Sequence, residues 1–338
     1  MKVFAPGKLI LSGEHAAVFG KPALAMAVNR YVTVTTTPQL LPFISFDLSD
    51  LAYKRRFTLS ALDHIKDRIK NKYKKFVHGE VNIRDVLHTP VELAQIAFSL
   101  FFETLNMRLT QGIKIRVQSD IPMGCGMGSS AATILSTVRA IANHLEVDVP
   151  HETFYRLGLE AENLQHGFSS GLDLRVSLYG GCIFVKDGQV HSRPIPPLSM
   201  YLVNTGTPET TTGECVAYVA HHFKTTSIGD EFAAVTEAMD AALAASQLNV
   251  SELKKTISQN HELLVRIGVV PERVKHFISQ VEHINGAAKI CGAGAVSGDN
   301  GGVVLVVTDD LAALQTLCNQ FHYNLIPIIG ETRGVHVV

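Results

Sequence analysis

The 338-residue chain has no Cys-x-x-Cys pair, no excess of charge of either sign and no apolar run long enough to span a bilayer. Its five cysteines, Cys125, Cys182, Cys215, Cys291 and Cys318, are widely spaced and odd in number, which argues against a zinc ribbon or a disulfide framework. With 30 Lys and Arg against 31 Asp and Glu, the formal net charge is −1. A polyanion finds no bulk attraction on such a chain and has to be gripped locally, so neither nucleic acid nor a membrane surface is an expected partner. The opening MKVFAPGKLILSGEH has no long apolar stretch followed by a small-residue cleavage site. A reducing cytoplasm is therefore the expected compartment.

What the chain does have is a globular balance, 46% hydrophobic and 18% charged, at a length that suits two domains. The proline-dense RPIPP at 193–197 is the best boundary, giving expected domains of 1–192 and 193–338. Short apolar strands interrupted at Pro6-Gly7 are expected over 3–11, and a β-branched strand over 31–37 that stops at Pro38. Residues 54–75 carry many cations among Leu59, Leu62, Ile65 and Ile69, predicting a helix with a cationic, solvated face. The spacing predicts further helices over 90–106, as core rather than interface, and over 152–165, with a strand at 112–119. A hairpin should turn at Asp187-Gly188. Beyond the boundary, strands near 200–204, 287–291 and 303–307 alternate with long helical patterns, an α+β arrangement. Nothing in the pattern decides between a monomer and a homodimer.

The strongest local signal is a strand, then a loop with Gly124, Gly126 and Gly128, then Ser129-Ser130 opening an apolar helix. Alternating glycines let backbone approach a ligand, and a helix N-terminus favours an anion, so a phosphate fits. An N-capping serine behind a flexible turn is the plain alternative. The loop has neither the Gly-Lys-Ser/Thr ending of a Walker A motif nor the Rossmann glycine spacing. A second glycine cluster, KICGAGAVSG at 289–298, reads equally well as a tight turn. Phosphoryl transfer also needs a lysine, a cation-binding acid and a group to orient or deprotonate the acceptor hydroxyl. Lys8, Glu162 and Asp173 are candidates, although a strand-end lysine, a surface carboxylate and a helix cap would explain them one at a time.

Together, APGKLILSGEHAAVFGKPALA at 5–25, PMGCGMGSSAA at 122–132 and KICGAG at 289–294 resemble the GHMP kinases (galactose, homoserine, mevalonate and phosphomevalonate kinases). The match spans nearly the whole chain. It implies an α+β fold of two domains, the first like ribosomal protein S5 domain 2 and the second ferredoxin-like. GEHAAVFG after the lysine and ENLQHGFSSGLD at 162–173 are most similar to mevalonate kinases, implying transfer of the ATP γ-phosphoryl group to mevalonate in isoprenoid precursor synthesis. By this resemblance ATP phosphates lie on Pro122, Gly124, Gly126, Met127, Gly128, Ser129, Ser130 and Ala131. Mg²⁺ is held by Ser130 and Glu162, Asp173 is the catalytic base, and Lys8 steadies the transferring group. Glu14, His15, Thr211, Gly292, Ala293 and Gly294 face the substrate. Two departures stand out: Gly294 is followed by AVSGDN where relatives have further glycines, and GTPETTTGE at 206–214 has no basic residue. A cation from 54–75 or Arg175 is expected to meet the substrate carboxylate instead. The competing expectations are another GHMP kinase acting on phosphomevalonate or a sugar, and a catalytically silent ligand sensor.

Overall fold

A computed structural model describes residues 1–338 apart from 110, 123–125 and 246–248. In chain order the elements are β1 (Lys2–Ser12), β2 (Ala23–Gln39), β3 (Ile44–Leu48), β4 (Tyr53–Phe57), α1 (Leu59–Val77), α2 (Pro90–Thr104), β5 (Gly112–Ser119), α3 (Ser129–His144), α4 (His151–His166), α5 (Leu172–Tyr179), β6 (Cys182–Lys186) and β7 (Gln189–Arg193). There follow β8 (Met200–Asn204), α6 (Thr212–Thr225), α7 (Ile228–Ala244), α8 (Val250–Arg266), α9 (Glu272–His283), β9 (Ala287–Cys291), β10 (Val303–Val307), α10 (Leu311–Phe321), β11 (Asn324–Pro327) and β12 (His336–Val337). Among the described residues, no helix is long and apolar enough to cross a membrane, and Cys182, Cys215, Cys291 and Cys318 are buried free thiols.

Two sheets organise these elements. The first runs β12-β1-β2-β5-β3-β4, with the β6–β7 hairpin attached to β2; the second runs β11-β8-β10-β9 and is antiparallel throughout. The hairpin turns at Asp187-Gly188, both with positive φ, as a two-residue turn requires. Helix α2, apolar on nearly all sides, lies in the first core with Phe98 and Phe101 buried. In β10, VVLVV, alternate residues go to opposite faces. Val303, Leu305 and Val307 join Met239, Leu253 and Ile257 of α7 and α8, whereas Val304 and Val306 join Val274, Phe277 and Leu314 of α9 and α10.

Several expectations are corrected here. Pro6-Gly7 does not break the first strand: β1 continues through a register shift at that step, with Pro6 opposite Tyr31 and Gly7 opposite Val28. β2 does not stop at Pro38, which pairs with Ile113 one residue from the strand end, where a missing N–H costs least. The cationic stretch 54–75 is not one helix. Lys54, Arg55 and Arg56 are exposed on β4, an edge strand protected by its charges, and α1 starts after Thr58, whose side chain accepts from the Ala61 amide at 3.2 Å. Cations of α1 are tied to acids of neighbouring helices, Lys70 to Glu103 at 2.7 Å and Glu160 at 2.9 Å. The chain also crosses back after β11: Glu331 bonds the backbone of Ala27 and Gly181, and β12 pairs with β1.

The joint between the sheets is polar and buried. Lys289 of β9 and Glu14, just beyond β1, form an ion pair with both side chains fully buried. The Lys289 ammonium also donates to the carbonyls of Ile10 at 2.9 Å and Ile290 at 3.0 Å. Asn260 of α8 donates to Glu14 Oε2 at 3.1 Å and accepts from Ser12 Oγ at 3.0 Å, and Ser12 Oγ shares a 2.7 Å bond with Thr236 of α7. A buried ion pair is weak evidence of net stabilisation, but removing one partner strands the other charge. Glu14→Gln should therefore cost about 3–5 kcal/mol of unfolding free energy, read from urea denaturation. Adding Lys289→Met to that variant should recover part of the loss, because no uncompensated charge remains.

Candidate active site

The cleft between the two sheets holds a cavity of about 1220 Å³. Lys8, from the middle of β1, reaches it with a side chain that is otherwise buried, and its ammonium lies 3.1 Å from Asp173 Oδ1. Asp173 sits in the first turn of α5 after Gly171, whose φ is 71°. The positive end of a helix is a favourable place for a carboxylate. The backbone N–H of Lys8 donates to the Met127 carbonyl at 2.9 Å, which docks the glycine-rich segment onto β1.

That segment ends in Gly128, left-handed at φ 70°, directly before α3, and among the described residues no side chain caps the helix. A Cβ at Gly128 would come within 2.8 Å of Lys8 Cγ. Neither serine acts as the capping group, so among the described residues the first amides of α3 have no side-chain partner and are open to a ligand. Ser130 Oγ turns instead to Glu162 Oε1 at 3.4 Å, while Glu162 Oε2 accepts from Ser169 Oγ at 2.6 Å. His166 Nε2 lies 3.3 Å from Ser130 Oγ, and burial lowers its pKa, making it a neutral neighbour. Burial first, and then the charge of Asp173, push Glu162 up to about 8, against the pull of Ser169, Lys8 and Ser130.

Ser130 Oγ and the Glu162 carboxylate are hard oxygen donors of the kind Mg²⁺ takes. Among the described residues no group of three or more His, Cys, Asp or Glu could hold a metal. A protein share of two oxygens, completed by phosphates and water, is the usual way Mg²⁺ is bound beside a nucleotide.

Other candidates divide. Pro122, Gly126, Met127, Gly128, Ser129 and Ser130 line the cavity, as do His15, Gly292 and Ala293. Ala131 is fully buried and belongs to the core under α3; Gly124 lies outside the described residues. Glu14 does not reach the cavity, because Lys289 and Asn260 hold it in the joint. Thr211 is exposed and caps α6 in a reciprocal pair with Glu214. Gly294, with φ 66°, is a packing glycine: a Cβ there would meet the Val269 carbonyl at 2.1 Å. Arg175 stacks on the Tyr155 ring at 4.4 Å and does not line the cavity, nor does any described cation of 54–75. The sequence reading missed Lys289 and Asn260 as structural partners. The available signal was a single lysine within the otherwise apolar β9.

His15 sets the other wall. Its Nε2–H donates to the Ala293 carbonyl at 3.0 Å, its Nδ1 is buried without a partner among the described residues, and burial lowers its pKa to about 4. The ring is therefore neutral, with its proton on Nε2. Gly126 and Gly292 pack back to back, a Cβ on Gly292 falling 2.7 Å from Gly126 Cα, so the two glycine clusters are one structure.

An open helix N-terminus, a lysine–aspartate pair beside it and a serine–glutamate pair next to both make up the working parts of a small-molecule phosphotransferase. Residues 92–181 match the family model of the GHMP kinases N terminal domain. A mevalonate kinase of Archaeoglobus fulgidus is 30% identical over 297 residues, 86% of this chain and 88% of that protein. One of Pyrococcus furiosus is 29% identical over 314 residues, 87% of each. The crystal structure of Methanococcus jannaschii mevalonate kinase shares the fold with a TM-score of 0.80 at 23% identity, covering 98% of both chains. The chain belongs to the mevalonate kinase family within the GHMP kinases, which use ATP.

Two outcomes follow from this geometry. Gly126 has φ 76° and a Cβ there would lie 2.4 Å from the Cys291 carbonyl, so Gly126→Ala should lose at least about 1 kcal/mol of stability and bind ATP more weakly, as calorimetric titration would show. His15 and His261 both have folded pKa values lowered to about 4 by burial. The unfolded chain takes up their protons first on acidification, so stability is full above about pH 6.5 and falls as the pH drops towards 4. Near pH 5.5 the loss is about 1 kcal/mol per group. Urea midpoints measured across that window should show this slope, and His261→Gln should flatten it.

Proposed function

We propose that the protein transfers the γ-phosphoryl group of ATP to the primary hydroxyl of mevalonate, giving ADP and 5-phosphomevalonate. The observation that carries this reading is the 3.1 Å pair of Lys8 and Asp173 beside Gly128 and the uncapped start of α3. The acceptor oxygen attacks the γ-phosphorus, the bond to the β-phosphate oxygen breaks, and the hydroxyl proton goes to Asp173. Lys8 stabilises charge on the transferring group and holds Asp173 in place. Because such transition states are loose, positioning and charge stabilisation count for more than deprotonation in advance. Amides of 126–130 hold the phosphates.

Ser130 and Glu162 would hold Mg²⁺, which would supply charge neutralisation to the phosphates. The phosphomevalonate alternative asked for Arg175 in the pocket, and its stacking on Tyr155 removes that support.

A coupled ADP-release assay with Mg-ATP and a panel of mevalonate, phosphomevalonate, homoserine and galactose tests the reading. Mevalonate should be turned over selectively, and Asp173→Asn should lower kcat by about 10²-fold or more while ATP still binds. Preferred turnover of another panel member, or an Asp173→Asn protein that keeps most of its rate, would sink the substrate or the base respectively.

A further inference from the structure

Mevalonate is a hydroxy acid, so a pocket that takes it has to meet one carboxylate with a cation or strong donors. Among the described residues lining the cavity, the Lys and Arg side chains are Lys8, Arg84 and Lys224. Lys8 is bonded to Asp173 at the point of transfer. Arg84 is paired with Glu214, the carboxylate of the α6 capping box. Lys224 has no carboxylate or hydrogen-bond partner among the described residues, and it is exposed at the cavity's edge.

Its setting matches a short aliphatic acid. Lys224 stands in the last turn of α6, and Val216, Ala217 and Ala220 precede it on the same face and line the same cavity. The neighbouring Phe223 stacks on Phe19 at 4.5 Å, fixing α6 against residues 16–19, of which Ala17, Val18 and Phe19 also line the cavity. His15, held by Ala293, begins that wall. The result is a wall that is apolar along its length, with an ammonium at one end.

We infer that Lys224 binds the acceptor's carboxylate and sets the preference for an acid over a neutral alcohol; the inference rests on the mevalonate reading above. The carboxylate is remote from the phosphoryl group, so its contact is the same in the ground and transition states and acts on KM rather than kcat. Lys224→Met should raise the KM for mevalonate about tenfold or more, leave kcat and the KM for ATP close to wild type, and melt at the wild-type temperature. Lys224→Arg should retain most of the affinity. The neutral triol made by reducing the carboxylate to an alcohol should be a poor acceptor for the wild type, and Lys224→Met should lose the preference for mevalonate over it. An unchanged mevalonate KM in an otherwise active Lys224→Met protein overturns the inference and leaves the functional reading standing. A raised KM for ATP instead would assign Lys224 to the nucleotide phosphates and also overturn it. Wild-type protein inert with mevalonate overturns both.

Discussion

A fully buried lysine ammonium has to be matched by an anion and by carbonyls, and at Lys289 that requirement draws the molecule together. Its partners are Glu14 and the carbonyls of Ile10 and Ile290, so β9 of the second sheet is bound to the end of β1 of the first. The part of the cleft wall around His15 and Gly292 hangs from this contact. His15 follows Glu14 directly and is placed on the Ala293 carbonyl, while Cys291 and Gly292, at the end of β9, come against Gly126. The cleft is narrow at that point because both facing residues lack a side chain.

The chemistry is arranged around one helix terminus. Lys8 comes from β1, Asp173 from the start of α5 and Glu162 from the last turns of α4, and all three meet the first turn of α3. Charge is unevenly distributed there. Lys8 answers Asp173, whereas Glu162 is buried with hydroxyls for partners and sits well above the usual carboxylate range. A divalent cation beside Ser130 and Glu162 would relieve that imbalance, which is the physical argument for a metal at this position.

The parts of the fold that were legible in the sequence are those with strong local patterns. Apolar spacing gave α2 and α3, alternation gave β5, and Asp187-Gly188 gave the hairpin. Lys54, Arg55 and Arg56 misled because pairing with β3 overrides the helical pattern that begins only after Thr58. The crossing back of 328–338 to β1 was invisible, since it depends on tertiary register rather than on local composition. In the site, Gly126, Gly128, Ser129 and Ser130 line the cavity in the order that the motif sets along the chain. Glu14 and Thr211 were not legible, because whether a carboxylate faces a substrate or a buried lysine, or a threonine a ligand or a helix end, is decided by residues far away in sequence, Lys289 for the first, and by cap geometry for the second. The resemblance implies a ligand contact at Gly294, yet its need for glycine comes from the Val269 carbonyl.

The most direct test of the account is a crystal structure with a non-hydrolysable ATP analogue, Mg²⁺ and mevalonate bound together. The account predicts the primary hydroxyl of mevalonate within hydrogen-bond reach of Asp173 and in line with the γ-phosphorus, the phosphates on the amides before α3, and the metal on Ser130 and Glu162. A mevalonate hydroxyl bound away from Asp173, or phosphates held elsewhere than at the start of α3, would contradict it.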